Sequence, residues 1–263
     1  MPATWLHAAR LGALALLCGA AGQVGAAASL DLEAMTSTEI RARIDAGTRT
    51  VLLPVGGTEQ NGAHLAVGKH NRRVAALAQR IAGALGDALV APVLPYVPEG
   101  RVEPPTGHMQ WAGTISVPEA AFETLLDGAA TSLCRHGFHD VVLLGDHGGY
   151  QAALQRVAAR RHAAGCRVTA LAAYYRAEQT DFPAWLATQG FSAAEIGTHA
   201  GLADTALTLA LDPSLVRADA QARGPSPGVA GDPRRATAEL GRVGVTLIVE
   251  RSVQAIRALR VSH

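Results

Sequence analysis

The residues able to do chemistry stand in clusters punctuated by glycine. The first cluster is Gly56-Gly57-Thr58-Glu59-Gln60-Asn61-Gly62-Ala63-His64, followed closely by Gly68-Lys69-His70-Asn71. The second is Gly145-Asp146-His147-Gly148-Gly149, and the third is Thr198-His199-Ala200-Gly201-Leu202-Ala203-Asp204-Thr205. Carboxylate and imidazole are the donors a catalytic divalent metal takes, commonly three from the protein with one position left for water. Glu59, His70 and His147 supply such a set. Each alone reads more readily as a hydrogen-bonded loop residue, and it is the coincidence of three loops that points to a metal. Gly148 and Gly149 fall where backbone N–H groups at a helix start could face a developing oxyanion, although glycine is also common at helix caps. His64, and His108 within Pro104-Pro105-Thr106-Gly107-His108-Met109, are expected to line the pocket rather than to serve as primary ligands, because loop histidines more often bond to nearby backbone. Lys69 either neutralises the acid at Glu59 or a substrate, or is simply solvated.

For these loops to converge, the elements before them must end on one edge. Residues 50–55, 88–94, 139–145 and 167–173 are short apolar runs bounded by Gly, Pro or polar residues, as buried parallel strands are. Between them Val74, Leu77, Ala78, Ile81 and Leu85 recur on one helical face, as do Ala153, Leu154, Val157 and Ala158. Further helices are expected over 118–135, 201–211 and 236–259, with the Pro- and Gly-rich stretch 223–235 as a loop. Alternating strand and helix predicts a mostly parallel α/β sheet covered on both faces, with ligands at the carboxyl ends of its strands.

With 23 Lys and Arg against 22 Asp and Glu, the formal charge is +1, and no basic field exists to attract nucleic acid. Residues 1–28 read as a secretory signal peptide: Arg10, an apolar run over 11–18, then small residues ending Ala26-Ala27-Ala28. The run is shorter than the roughly 20 residues a membrane span needs. Cys18 suggests lipidation only weakly, since bulky Leu17 precedes it. The expectation is a single domain over 29–263, periplasmic or secreted, without a membrane anchor after cleavage. Cys134 and Cys166 then remain, and a disulfide and two buried thiols are both open.

From about residue 50 to the last helix the sequence resembles the creatininase, or creatinine amidohydrolase, family. Pro54-Val55-Gly56-Gly57-Thr58-Glu59-Gln60-Asn61-Gly62-Ala63-His64-Leu65 is similar to that family's P-x-G-(S/A)-x-E-Q-H-G-x-H-L motif. Gly145-Asp146-His147-Gly148-Gly149-Tyr150 is similar to N-G-H-G-G-N, His199-Ala200-Gly201-Leu202-Ala203-Asp204-Thr205 to H-A-G-x-x-E-T, and Gly231-Asp232-Pro233 to a glycine-acid-proline stretch before the final helix. The resemblance implies a three-layer creatininase-like fold, a small-molecule substrate, homo-oligomers such as hexamers, and divalent metals. It places His199 as a catalytic proton carrier, Tyr175 as a substrate-facing aromatic, and Asp204 as a fourth ligand or a residue that holds a ligand imidazole. Two departures matter: Asn61 stands where the motif has a metal-binding His, and His70 where the family has an Asp bridging two metals. Asn is a weak zinc ligand, and an imidazole nitrogen cannot bridge two ions. One zinc, with manganese or iron as alternatives, on Glu59, His70, His147 and Asp204 is therefore expected, with Asn61, His64, His108, Gly148, Gly149 and Tyr175 around the substrate. The function implied is hydrolysis, by metal-activated water, of a non-peptide C–N bond in an amide or cyclic amide of a small nitrogen compound. The competing reading is a non-catalytic extracytoplasmic binding protein that kept the pocket.

Overall fold

The computed structural model describes Met1, residues 29–160 and residues 165–261. The expected signal segment falls, apart from Met1, outside the described residues. Four strands, β1 (Thr50–Val55), β2 (Ala88–Val90), β3 (Asp140–Gly145) and β4 (Arg167–Ala170), form one parallel sheet in the order β2-β1-β3-β4. The helices are α1 (Ser37–Asp45), α2 (Lys69–Leu85), α3 (Glu119–Arg135), α4 (Gln151–Ala158), α5 (Ala172–Arg176), α6 (Phe182–Thr188), α7 (Ala193–Ile196), α8 (Leu202–Leu211), α9 (Ala218–Arg223) and α10 (Ala238–Val261). Among the described residues, no helix is long and apolar enough to cross a membrane.

Period-two alternation along the strands builds two cores. Leu52, Ala88, Val90, Val142 and Leu144 face Val74, Leu77 and Ile81 of α2, together with apolar residues of α6, α8 and α10. Val51, Leu53, Val55, Leu89, Val141 and Leu143 face Ile44 of α1, Phe122 and Leu126 of α3, and Leu154 and Val157 of α4. The sheet is thus covered on both sides, as the strand–helix alternation predicts. On the α2 side, α8 and α10 meet backbone to side: a Cβ at Gly241 would come within 1.8 Å of the Ala206 carbonyl oxygen.

Two strands stop earlier than their apolar runs. The β2 ladder ends at Val90, and beyond it Leu94 makes only an isolated bridge to Val55. Pro92 and Pro95 lack the N–H that a continuing ladder needs. Strand β4 ends at Ala170, and Tyr174 and Tyr175 sit on α5 rather than at a strand end. Helices α1, α5, α6, α7 and α9 have no counterpart in the sequence expectation. Helix α1 is nonetheless marked by a capping box, with Thr36 and Glu39 exchanging side-chain and backbone hydrogen bonds.

The two cysteines left open by sequence form a disulfide, joining Cys134 at the end of α3 to Cys166 before β4 with Cα atoms 5.5 Å apart. A cross-link over 32 residues restrains the unfolded chain considerably. Replacing both cysteines by serine should lower unfolding free energy by about 2–4 kcal/mol, measurable by denaturant titration under oxidising conditions. An unchanged midpoint would show that the bond restrains nothing that the fold does not already hold.

Candidate metal centre

The carboxyl ends of β1, β2 and β3 open onto one edge of the sheet, and the loops leaving them converge on the carboxylate of Glu59, which is fully buried. Its two oxygens face different surroundings. Oε1 accepts a hydrogen bond from His70 Nε2 at 2.8 Å and lies 3.9 Å from Lys69 Nζ and 3.6 Å from His199 Nδ1. Oε2 is buried and accepts no hydrogen bond among the described residues. Around it stand His108 Nε2 at 3.1 Å and His147 Nε2 at 3.5 Å. Glu59, His108 and His147 each offer one ligand atom, all within 4.8 Å of one another, so these three could hold a metal ion. A buried anionic oxygen without a donor, facing two imidazoles, is the kind of donor set that a divalent ion satisfies.

Behind Oε1 lies a dense ionic network carried by the first two turns of α2. The His70 imidazole bridges two acids, with Nε2 on Glu59 and Nδ1 2.8 Å from Asp146 Oδ2. Arg73, almost wholly buried, donates to Asp146 at 2.8 Å, Glu178 at 2.6 Å and Asp204 at 2.7 Å. Lys69 donates to Asp204 at 2.7 Å. Tyr174 donates its hydroxyl to the other oxygen of Asp146 at 2.5 Å.

These contacts set the charge states. Burial and the Lys69 charge push His70 down, but hydrogen bonds to Asp146 and Glu59 outweigh them and raise it to about 9, so the ring is an imidazolium at neutral pH. Burial alone would raise Glu59, yet the His70 hydrogen bond and the charges of His70 and Lys69 hold it well below the usual carboxylate range. His147, desolvated and beside the His70 charge, is lowered to about 3, and His199, desolvated and facing Lys69, to about 4. Both rings are therefore neutral and keep a bare nitrogen. Glu99 is the opposite case: burial, then the Glu59 charge, raises its carboxyl to about 8.

Of the ligand set expected from sequence, Glu59 and His147 come together as anticipated. His70 and Asp204 do not offer free ligand atoms. Both nitrogens of His70 are committed to carboxylates, and Asp204 is held by Lys69, Arg73 and the backbone N–H of Ala200 at 2.7 Å. Asp204 instead fixes the turn at Ala200, whose φ is +52°, and so the orientation of the adjacent His199. His108, expected only at the pocket wall, is drawn to the centre because its backbone N–H bonds to the Glu99 carbonyl and its Nδ1 meets Gln60 Nε2 at 3.1 Å. Asn61 turns its amide back onto the carbonyls of Glu59 and Ala66, and buried His64 bonds to Thr205 of α8 at 3.0 Å, so both brace loops. The Gly149 N–H, expected to face an oxyanion, donates to His147 Nδ1 at 3.2 Å. Gly148 is needed for space: a Cβ there would lie 2.5 Å from the hydroxyl oxygen of half-buried Tyr175. Arg73, Glu99, Gln60 and Glu178 carry the site without having been singled out in the sequence; their signal would have been charge or amide groups buried beside the motifs.

The fold and site together define an α/β protein with an acid–imidazole cluster at the carboxyl edge of a parallel sheet. The profile of the creatininase family, described as creatinine amidohydrolase, matches residues 33–256, and the chain belongs to that family. Creatinine amidohydrolase of Pseudomonas putida is 28% identical over 251 residues, covering 85% of this chain and 94% of that protein. The mycofactocin precursor peptide peptidase of Mycolicibacterium smegmatis is 31% identical over 174 residues, 64% of this chain and 60% of that protein. Among solved structures, one called "Creatininase Mn" has a TM-score of 0.69 at 28% identity, and a mutant creatininase of "Zn-Zn type" has 0.69 at 27%; each comparison covers 88% of this chain and 98% of the other.

Two outcomes follow for the ionic network. Arg73→Met leaves three buried acids without their cation and should destabilise the protein by about 3–5 kcal/mol in chemical denaturation. His70 is raised above its unfolded value near 6.5, so its contribution is fully present below that pH and is lost as pH rises through about 9. Stability of the metal-free protein should therefore fall between pH 7 and 10, and His70→Gln should flatten that slope; equal slopes in both proteins would show that the ring is not charged in the native state.

Proposed function

We propose that this chain is an exported metal-dependent hydrolase that cleaves the C–N bond of a small amide or cyclic amide, with one divalent ion held by Glu59, His108 and His147. The observation that carries the reading is the buried Oε2 of Glu59, which accepts no hydrogen bond among the described residues while two imidazole nitrogens stand within 3.5 Å of it. The names amidohydrolase and peptidase carried by its relatives support C–N hydrolysis as the reaction class, the second of them on a peptide. Zinc is the ion we assign, since one acid and two imidazoles suit it, with manganese and iron as alternatives.

A bound ion would supply Lewis acidity and lower the pKa of water at the site. The remaining work falls to the chain. His199 Nε2 lies 2.9 Å from the Gln60 carbonyl oxygen, so that nitrogen carries the proton and Nδ1 is bare. A neutral ring with a bare nitrogen 3.6 Å from Glu59 can take a proton from water and return it to the departing nitrogen. Tyr175 overhangs Gly148 and would pack against the substrate. Binding of a single ion follows from the charges behind Oε1. Where the resembled family has a bridging carboxylate, this chain has the His70 imidazolium, with Lys69 and Arg73 beside it. A second dication there would meet a cation where the family has a ligand, and the acids close by are already engaged by Lys69, His70 and Arg73.

Elemental analysis of purified, dialysed protein should find one metal equivalent, lost in Glu59→Ala and His147→Ala and weakened at least tenfold in His108→Ala. Two equivalents, or one that survives all three substitutions, would sink the single-ion site. A screen of lactams, cyclic ureas, formamides and short peptides, with and without Zn²⁺ or Mn²⁺, should find turnover that chelators abolish and His199→Ala removes. Binding of such a compound to metal-free protein without turnover would instead favour the non-catalytic binder. Export is part of the proposal and is consistent with the Cys134–Cys166 disulfide, which an oxidising compartment preserves. Mass spectrometry of the secreted or periplasmic protein should give a chain beginning near Ser29, and an intact Met1 on protein from the cytoplasm would overturn it.

A further inference from the structure

The two ring nitrogens of His147 face two different acids. Nε2 points to Glu59 Oε2, and on the far side of the ring Nδ1 lies 3.6 Å from Oε2 of Glu99. Glu99 is 4% exposed, and neither of its carboxylate oxygens has a hydrogen-bond partner among the described residues. A buried carboxyl with both oxygens unserved is costly and rare, so its surroundings as they stand leave at least one oxygen open to a donor. The chain holds it firmly in place nonetheless. Its N–H donates to Ser116 Oγ at 2.9 Å, its carbonyl accepts from His108 N–H at 3.2 Å, and its Oε1 lies only 2.6 Å from where a Cβ on Gly57 would be. At the position of Gly57 the resembled motif carries Ser or Ala. Glycine there clears the space that the Glu99 carboxylate occupies.

Such a donor is supplied by a change of tautomer. At present the Gly149 N–H donates to His147 Nδ1, so that nitrogen is an acceptor and the ring proton sits on Nε2. A ring that ligates through Nε2 must carry its proton on Nδ1, where it opposes the Gly149 N–H and faces Glu99. Metal-bound histidines nearly always donate the distal N–H to a carboxylate, carbonyl or water, which fixes the tautomer and raises ligand basicity. We infer that Glu99 is a positioning residue that accepts the Nδ1–H of His147 when the Nε2 of that ring binds the metal. Resting on the metal reading above, the inference adds a residue outside the ligand set and outside the motifs. It also assigns Gly57 the role of leaving room for that carboxylate.

The test is Zn²⁺ affinity by chelator competition on the full mature chain, for the parent, Glu99→Ala and Glu99→Gln. Glu99→Ala should weaken Zn²⁺ by about 10–100-fold. Glu99→Gln, whose amide oxygen can still accept from Nδ1–H, should lose less. Zinc X-ray absorption should show the same number of donors in parent and variants, and ¹⁵N spectra of the loaded parent should place the His147 proton on Nδ1. Neither metal-free variant should melt below the parent, because no hydrogen bond of the carboxylate is removed. Zn²⁺ affinities within twofold of the parent in both variants, or a bare Nδ1 in the loaded protein, would overturn the inference. So would loss of one oxygen donor in Glu99→Ala, since Glu99 would then be a ligand. Failure of the underlying reading looks different: Glu59→Ala and His147→Ala would bind Zn²⁺ as tightly as the parent.

Discussion

Neutralisation of the cations at the start of α2 is the constraint on which the rest of the site depends. That helix begins at Gly68 with no side-chain cap, and its first turns carry Lys69, His70 and Arg73, all buried. Cations at a helix amino terminus oppose the macrodipole, and burying them unpaired would cost several kcal/mol each. What makes the arrangement stable is that four acids arrive from elsewhere. Glu59 comes from the loop after β1, Asp146 from the end of β3, Glu178 from the turn following α5, and Asp204 from the first turn of α8. None of these acids lies on α2, so the pairings exist only with α2, α8 and the segment after β4 docked against the sheet.

The same constraint divides Glu59 into two halves. Oε1 is engaged by the ionic network and held by it, while Oε2 is turned toward His108 and His147. The network therefore fixes an anionic oxygen in place and keeps it ionised, yet leaves it with capacity to bind. The charge of His70 acts through space as well: it helps keep the His147 ring neutral, the state in which an imidazole has a lone pair for a metal. His199 gains the same property from desolvation and Lys69. The positive charge around Oε1 of Glu59 thus helps keep the neighbouring His147 and His199 rings neutral.

Scaffold rigidity on the α8 side matters for the same reason. Close approach of α10 to α8 at Gly241, and the bond from His64 to Thr205, seat the helix whose first turn presents Asp204. Asp204 in turn holds the Ala200 N–H, and the neighbouring His199 is bonded to the Gln60 carbonyl from the loop after β1. The His199 ring is therefore located both from the α8 side and from the loop after β1.

The amino-acid sequence by itself determined the layers, the parallel sheet, the edge on which the loops meet, and two residues of the candidate centre, Glu59 and His147, that the fold brings together. It could do so because apolar periodicity and glycine punctuation report local backbone geometry, and in a parallel sheet local geometry already dictates where strand ends lie. It pointed to His70 as a ligand because a residue type at a motif position carries no record of what its nitrogens bond to. Only the tertiary structure decided that, by bringing Asp146 to Nδ1 and Glu59 to Nε2, and by swinging His108 in on the loop that follows β2. Arg73 and Glu99 were invisible for a related reason: one reads as an ordinary polar helix residue and the other as a charge in a proline–glycine loop, until burial removes water and makes each dependent on partners far away in the chain. Ligand identity is a statement about free lone pairs, and those are allotted by contacts between elements, which spacing along the chain does not encode.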